Sequence, residues 1–160
     1  MVRDREVITG RRESASRAGR ARITRVTTFF DIDSANAALE EVGPLLATLA
    51  DQRAELIRLR DRTIAAHASA TGGGPDLEAD EAQRIRLRMQ GIVDQMAAAV
   101  ARIDALGITL RDIERGLIDF PALVSGRQVW LCWELGEEQV GYWHELDTGF
   151  GSRRPLTELT

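Results

Sequence analysis

The stretch "GLIDFPALVSGRQVWLCWELGEEQVGYWHEL", residues 116–146, decides the fold of this chain. It contains three β-like runs, separated by turn signals at Ser125-Gly126 and Gly136-Glu137. Alternation of apolar and polar residues with a period of two is typical of strands that cover a core with one face. The stretch therefore predicts a small three-stranded antiparallel β-meander.

Two-residue loops at both turns would fix which residues face each other across the meander. Across the first hairpin the expected pairs are Ile118–Trp133, Phe120–Leu131 and Ala122–Val129. Across the second hairpin they are Trp133–Val140, Leu131–Tyr142 and Val129–His144.

This register divides the meander into two faces. The face that ends with His144 is nearly all apolar, and we expect it to pack on helices. The other face is mixed and carries Asp119, Trp130, Cys132, Trp143 and Glu145. An exposed pair of tryptophans is more apolar surface than a soluble monomer usually shows, so we expect a partner surface or a ligand site on this face.

Two long periodic segments precede the meander. Apolar residues recur by alternate steps of three and four from Ala38 to Ala66, and again from Ile85 to Leu106. Pro44 predicts a kink or a joint between two helices, and the glycine-rich residues 69–76 separate the two periods. We predict an α+β protein with a long, coiled-coil-like antiparallel helical hairpin at residues 27–107. Residues 108–160, the meander and tail, would pack with it as one domain.

Composition indicates the cellular compartment in which we expect the protein. The chain has 160 residues, and all 21 of its basic residues are arginine, a bias typical of a high-GC bacterial genome. No stretch approaches the length of a membrane helix, and the single cysteine, Cys132, suits a reducing compartment. We therefore expect a cytoplasmic protein with no membrane contact.

Residues 1–26 form a basic arm that we predict to be disordered, because large apolar residues are scarce there. Three interpretations stay open: a start codon assigned too far upstream, a passive tail, or an arm that binds nucleic acid or an anionic surface. Nucleic-acid binding is expected only through this arm, and it would weaken steeply with salt.

The residues that could take part in catalysis or bind a metal cluster at the end of the meander. His144, Glu145 and Asp147 lie together in sequence, with Asp119 and Cys132 on neighbouring predicted strands. Imidazole and carboxylate are ligands for zinc, manganese or iron, which makes His144 and Asp147 weak metal candidates. Strict alternation sends His144 and Glu145 to opposite faces, so a strand-end histidine hydrogen-bonded to a neighbour is the preferred interpretation.

Arg153 and Arg154 follow the last predicted strand. Arginine forks there would tie nearby carboxylates into ion pairs or bind an anionic ligand. Structural pairing is the preferred of these two uses.

The motifs of the C-terminal region resemble those of a family of uncharacterised bacterial proteins, domain of unknown function 2203. The resemblance rests on Gly116 to Ala122, Leu131 to Glu137 and Gly141 to Phe150, with a similar first helix in "FDIDSANAALEEVGPLLATL", residues 30–49. It covers about residues 27–156 and implies no activity or cofactor. It directs attention to Asp119, Cys132, Trp133, Trp143, His144 and Asp147.

Two functions compete at this point. We expect a non-enzymatic binding or assembly module that self-associates, as a dimer, through its helices and its tryptophan-bearing sheet face. The alternative is a metal- or anion-dependent enzyme, hydrolytic in type, that uses the His144/Asp147 region. The sequence does not identify a cofactor.

Overall fold

The structure, a computed structural model, describes residues 28–68 and 75–159. The basic arm of residues 1–26 and the glycine-rich residues 69–74 lie outside the described residues. The elements in chain order are α1 Ile32–Ala68, α2 Pro75–Ala105, β1 Thr109–Asp112, β2 Leu117–Val124, β3 Arg127–Glu134, β4 Tyr142–His144 and β5 Arg154–Pro155. Short 3₁₀ turns, Phe150–Ser152 and Leu156–Glu158, flank β5.

Helix α1 is continuous despite its internal proline. It begins after Asp31, whose carboxylate accepts the backbone N–H and the hydroxyl of Ser34 while its own N–H donates to the Ser34 hydroxyl. This arrangement satisfies backbone donors that the first turn leaves free. Pro44 lies on the exposed side of the helix, and no break separates two helices there.

The two helices pack against each other through buried apolar residues of both periodic segments. Leu46, Leu49 and Ile103 are fully buried beneath the sheet. Further along the hairpin, a small separate cluster of Leu59, Ile85 and Ile92 joins the helices. Within the described residues, the core of the far part of the hairpin contains side chains of the two helices only, whereas the near part shares its core with the sheet.

The sheet has five antiparallel strands in sequential order, β1 to β5, and the prediction of three strands is wrong. The two additional strands are its edges. They have four and two residues, and their sequences "TLRD" and "RP" show no apolar alternation. Such short polar edge strands give no periodic signal, although they are typical of sheet edges.

The predicted register of the first long hairpin is confirmed. Strand β2 pairs with β3 as Ile118–Trp133, Phe120–Leu131 and Ala122–Val129, with Asp119 opposite Cys132. Ser125 and Gly126 both have positive φ, 51° and 78°. Two consecutive positive φ values define the tight turn that matches the twist of a two-residue hairpin.

The predicted register of the second hairpin is wrong by one residue. Strand β3 pairs with β4 as Trp130–His144, Leu131–Trp143 and Cys132–Tyr142. The connection between them, residues 135–141, is a longer irregular loop and not a two-residue turn. Since side chains alternate along a strand, this slip moves each side chain of β4 to the face opposite the predicted one.

Trp143 lies in the core, on the face of the sheet opposite the predicted one. Its side chain is 2% exposed and packs beneath the sheet with Leu131, Phe120 and residues of α1. Trp130 faces the other side and is half-buried. The predicted tryptophan pair on one exposed face therefore does not exist, while His144 and Tyr142 change to the face of Trp130.

No helix within the described part of the chain is both long enough and apolar enough to cross a membrane.

Candidate functional site

Three side chains of metal-ligand type converge on the outer face of the sheet. They are Asp119 of β2, Cys132 of β3 and His144 of β4, and their potential ligand atoms all lie within 4.8 Å of one another. Asp119 and Cys132 are directly paired, and His144 pairs with Trp130, two residues along β3 from Cys132. All three are buried, with exposures between 0% and 3%.

The hydrogen bonds of His144 define which ring nitrogen carries a proton. Nδ1 lies 2.8 Å from the Glu145 carbonyl oxygen, which can only accept, so Nδ1–H is the donor. In neutral imidazole the lone pair is then on Nε2, which lies 3.1 Å from Asp119 Oδ2. The ring therefore directs Nε2, the nitrogen that could bind a metal, into the cluster. In many metal centres a backbone carbonyl orients a histidine in this way.

Arg111 also holds Asp119, through the same carboxylate oxygen that lies near His144. The Arg111 Nε–H donates to Asp119 Oδ2 over 2.6 Å. Arg111 is the extra residue of a β-bulge, because pairing of β1 with β2 jumps from Leu110–Ile118 to Asp112–Leu117. Bulges redirect side chains and are frequent beside active sites. The other carboxylate oxygen, Asp119 Oδ1, is buried and has no hydrogen-bond partner in the described chain.

Cys132 is fully buried between the other two strands. Burial raises the pKa of its thiol far above the usual value, and the negative charge of Asp119 raises this pKa further. The thiol is therefore protonated at neutral pH and is a poor nucleophile, because the thiolate is the reactive form. A bound metal ion reverses this preference by coordinating the thiolate directly.

A cavity of about 310 Å³ opens in front of the three side chains. Its walls come from the bulge, from the central strands and from the segment after β4. Its lining residues are Arg111, Asp112, Arg115, Leu117, Asp119, Cys132, His144, Leu146, Thr148, Gly149 and Phe150. The cluster is thus sealed on the protein side and reachable from the cavity.

A network of charged side chains borders the cavity. Arg115 forms two hydrogen bonds to the Glu134 carboxylate, 2.8 and 3.0 Å, and its guanidinium stacks on Phe150 at 3.8 Å. Arg153 bonds Glu137 and also reaches Glu134, and it stacks on Tyr142. These ion pairs hold the segment after β4, which forms one wall of the cavity.

The other residues predicted for the site lie apart from the cluster. The Glu145 side chain forms an ion pair with Arg127. Glu145 contacts the cluster only through its backbone carbonyl, which accepts a hydrogen bond from His144. Asp147 is exposed and does not line the cavity. Arg154 packs over the Trp143 ring at 5.4 Å. Neither Arg153 nor Arg154 lines the cavity; the predicted arginine pair is replaced there by Arg111 and Arg115.

Sequence reasoning missed Arg111 and Arg115 because their segment was not predicted as a strand. It also separated His144 from Cys132, through the register error. One signal was present: Val140 and Trp143 are both large, apolar and buried, yet they are separated by an odd number of positions. Strict alternation cannot bury both on one face, which indicates an irregularity before β4.

The sequence matches the model of the family described as "Uncharacterized conserved protein (DUF2203)" over residues 28–156. The chain belongs to this family. The match includes all three side chains of the cluster and both cavity arginines. No curated protein and no solved structure matches the chain.

Proposed function

We propose that this protein is a metal-dependent enzyme of hydrolytic type, with a zinc-class divalent ion held by Asp119, Cys132 and His144. The observation that carries the proposal is the convergence of a thiol, an imidazole nitrogen and a carboxylate within 4.8 Å, all buried at the floor of a cavity. A thiolate, an imidazole and a carboxylate together suit zinc better than magnesium or calcium, which prefer oxygen ligands.

The spacing of the ligand atoms supports a tetrahedral ion. Bond lengths to zinc of about 2.0–2.3 Å place the ligands of a tetrahedral site roughly 3.3–3.8 Å apart. His144 Nε2 and Asp119 Oδ2 are 3.1 Å apart, and the largest separation in the cluster is no more than 4.8 Å. Small side-chain movements would therefore complete the geometry.

The surroundings of the ligands support the same assignment. The Glu145 carbonyl orients His144, and Arg111 orients Asp119, so two of the three ligands have the outer hydrogen bonds that metal ligands usually have. Three protein ligands leave one position for water or substrate, as in catalytic zinc sites. In such a position zinc acts as a Lewis acid and activates water.

A buried ion pair is the competing explanation for part of this geometry. A second proton on His144 would make an imidazolium that donates to Asp119 through Nε2. In that arrangement the Cys132 thiol only hydrogen-bonds to Asp119, and Asp119 Oδ1 stays buried without a hydrogen-bond partner in the described chain. A metal ion accounts for all three side chains, because the thiol becomes a ligand and the second oxygen is free to share the ion.

Elemental analysis of protein purified without a metal-chelating tag tests the proposal. We expect about one zinc, manganese or iron per chain, and a rise in melting temperature when the metal-free protein receives that ion. His144→Gln, Cys132→Ser and Asp119→Asn should each weaken binding by at least about 100-fold, since even outer hydrogen-bond partners of ligands contribute 10–100-fold.

The second histidine of the chain provides a matched control. His67 is exposed near the end of α1, with Nδ1 near the Thr63 carbonyl. His67→Gln should bind metal like the unmodified protein. A protein that holds none of the three metals, and whose melting temperature none of them changes, overturns the proposal.

A second candidate function is self-association through the helical hairpin. Among the described residues, the buried apolar contacts in the far part of the hairpin come from the small cluster around Leu59, Ile85 and Ile92. Ile64 and Leu87 on the same helices are 61% and 63% exposed. Covering these side chains with a second copy would remove apolar surface from water. The sheet face no longer supports this function, because Trp143 is in the core.

Light scattering on the full chain at micromolar concentration tests self-association. We expect a dimer that Leu87→Gln shifts toward monomer, with Arg86→Gln as the neighbouring exposed control. A monomer at that concentration overturns this second candidate.

A further inference from the structure

We infer that the cavity in front of the cluster binds a small anionic substrate, whose phosphate or carboxylate oxygens are held by Arg111. The inference rests on the proposed metal centre and names the substrate class of that same site. Arg111 is both a cavity-lining residue and the partner of the buried Asp119.

Arg111 is fixed in place from two sides. Its Nε–H is bound to Asp119 at 2.6 Å, and its guanidinium packs over the Trp130 ring at 4.9 Å. Within residues 28–68 and 75–159, its two terminal nitrogens make no hydrogen bond. A guanidinium held by one edge presents its remaining donors as a fork, the geometry that matches carboxylate and phosphate oxygens.

The other arginine of the cavity is already committed. Both oxygens of Glu134 accept hydrogen bonds from Arg115, so the carboxylate neutralises the Arg115 charge locally. Asp112 also lines the cavity, and its Oδ1 accepts the Arg115 backbone N–H. Of these two arginines, Arg111 therefore has both terminal nitrogens available within the described chain, whereas Arg115 already uses one of its terminal nitrogens for Glu134.

Metal binding would remove the net negative charge that otherwise opposes an anion in this cavity. In the metal-free state, Arg111 is paired with Asp119. With Arg115 paired to Glu134, the other ionised groups of the cavity lining carry a net charge of −1, and a zinc ion with a thiolate ligand would bring this sum to zero. The anion would then lie between Arg111 and the open metal position, where its reacting group and an activated water would meet.

Isothermal titration calorimetry of the zinc-loaded full chain with inorganic phosphate and with acetate tests this inference. We expect saturable binding of at least one of the two probes, which identifies the oxyanion type. Arg111→Gln should weaken that binding about tenfold or more, because charge-assisted forked hydrogen bonds are lost. Arg111→Lys keeps the charge but not the forked donors, so its affinity for the probe should lie between those of the unmodified protein and Arg111→Gln.

Arg60→Gln is the matched control, since it removes one exposed arginine charge from α1, and Arg60 lies outside the cavity lining. It should leave probe binding unchanged. Zinc content is measured on each sample first, so a chain without zinc overturns the metal centre itself. A zinc-loaded chain that binds neither probe overturns the anion site but not the metal centre. Probe binding that is equally strong in the Arg111→Gln variant overturns the role of Arg111.

Discussion

The two hairpins that share strand β3 differ in how their registers are fixed. The β2–β3 hairpin closes through Ser125 and Gly126, both with positive φ, and every predicted pair is found. The β3–β4 hairpin closes through the irregular residues 135–141, and its register differs from the prediction by one residue. A tight turn fixes pairing locally, whereas a longer connection leaves pairing to tertiary contacts.

Those tertiary contacts are visible along the longer connection. Leu135 N–H donates to the Gly116 carbonyl, and the Trp133 indole N–H donates to the Glu137 carbonyl. Val140 N–H donates to Asn36 Oδ1 of α1, far away in sequence. The helix therefore takes part in selecting which face of the sheet receives His144.

Replacing neighbouring aromatic residues of β4 gives the largest expected contrast. Trp143→Ala should reduce the free energy of unfolding by about 3–5 kcal/mol, because a buried indole leaves a cavity. Tyr142→Ala should cost about 1 kcal/mol or less, because Tyr142 is 39% exposed and mainly stacks on Arg153. Urea unfolding measures both. The opposite ranking would restore the register predicted from a two-residue loop.

Removing the anchor of the longer connection should have the next largest effect. Asn36→Ala leaves the Val140 N–H without its acceptor, at a residue that is 1% exposed, and should cost about 1–3 kcal/mol. Asn36→Asp keeps an acceptor oxygen and serves as the control. Equal unfolding midpoints in urea for Asn36→Ala and the unmodified protein would contradict the anchoring role.

Glycine substitutions compare the two connections directly. Gly126 has φ of 78°, so Gly126→Ala should cost about 1 kcal/mol through backbone strain. Gly141 has no positive φ, and an added Cβ would meet nothing closer than 3.9 Å, so Gly141→Ala should change stability by less than about 0.5 kcal/mol. Thermal unfolding of both variants checks the difference, and a costlier Gly141→Ala would contradict it.

The smallest effect at neutral pH concerns Cys132. Its raised pKa means that the folded, metal-free chain keeps a thiol proton which the unfolded chain loses above a pH of about 9. The unfolded state then binds fewer protons, so stability should fall as pH rises past that point and should be unaffected at pH 7. Urea midpoints across this range, compared with Cys132→Ser, isolate the contribution. Identical pH dependence in both proteins would refute it.

Much of the fold was predictable because its signals are local. Heptad-like spacing marked both helices, and alternation with a tight turn marked β2 and β3. Asp119 and Cys132 could be placed side by side on one face for the same reason.

The rest of the candidate site depends on features without a local signature. Arg111 enters through a bulge in a four-residue edge strand. His144 reaches the cluster through a loop whose conformation depends on Asn36 and Gly116. Tyr142 added a misleading cue, because a half-exposed tyrosine fits the apolar pattern as well as a buried one.

The irregular loop of residues 135–141 also bears on how relatives of this chain are compared. A homologue could keep the aspartate, the cysteine and the histidine and still lose the cluster, if an insertion or deletion of one residue in this loop turned the imidazole toward the helices. Alignments that score only residue identity would class such a protein with this one. The spacing between Cys132 and His144 is therefore a diagnostic trait in its own right, and it would divide the family by chemistry where sequence similarity alone would not.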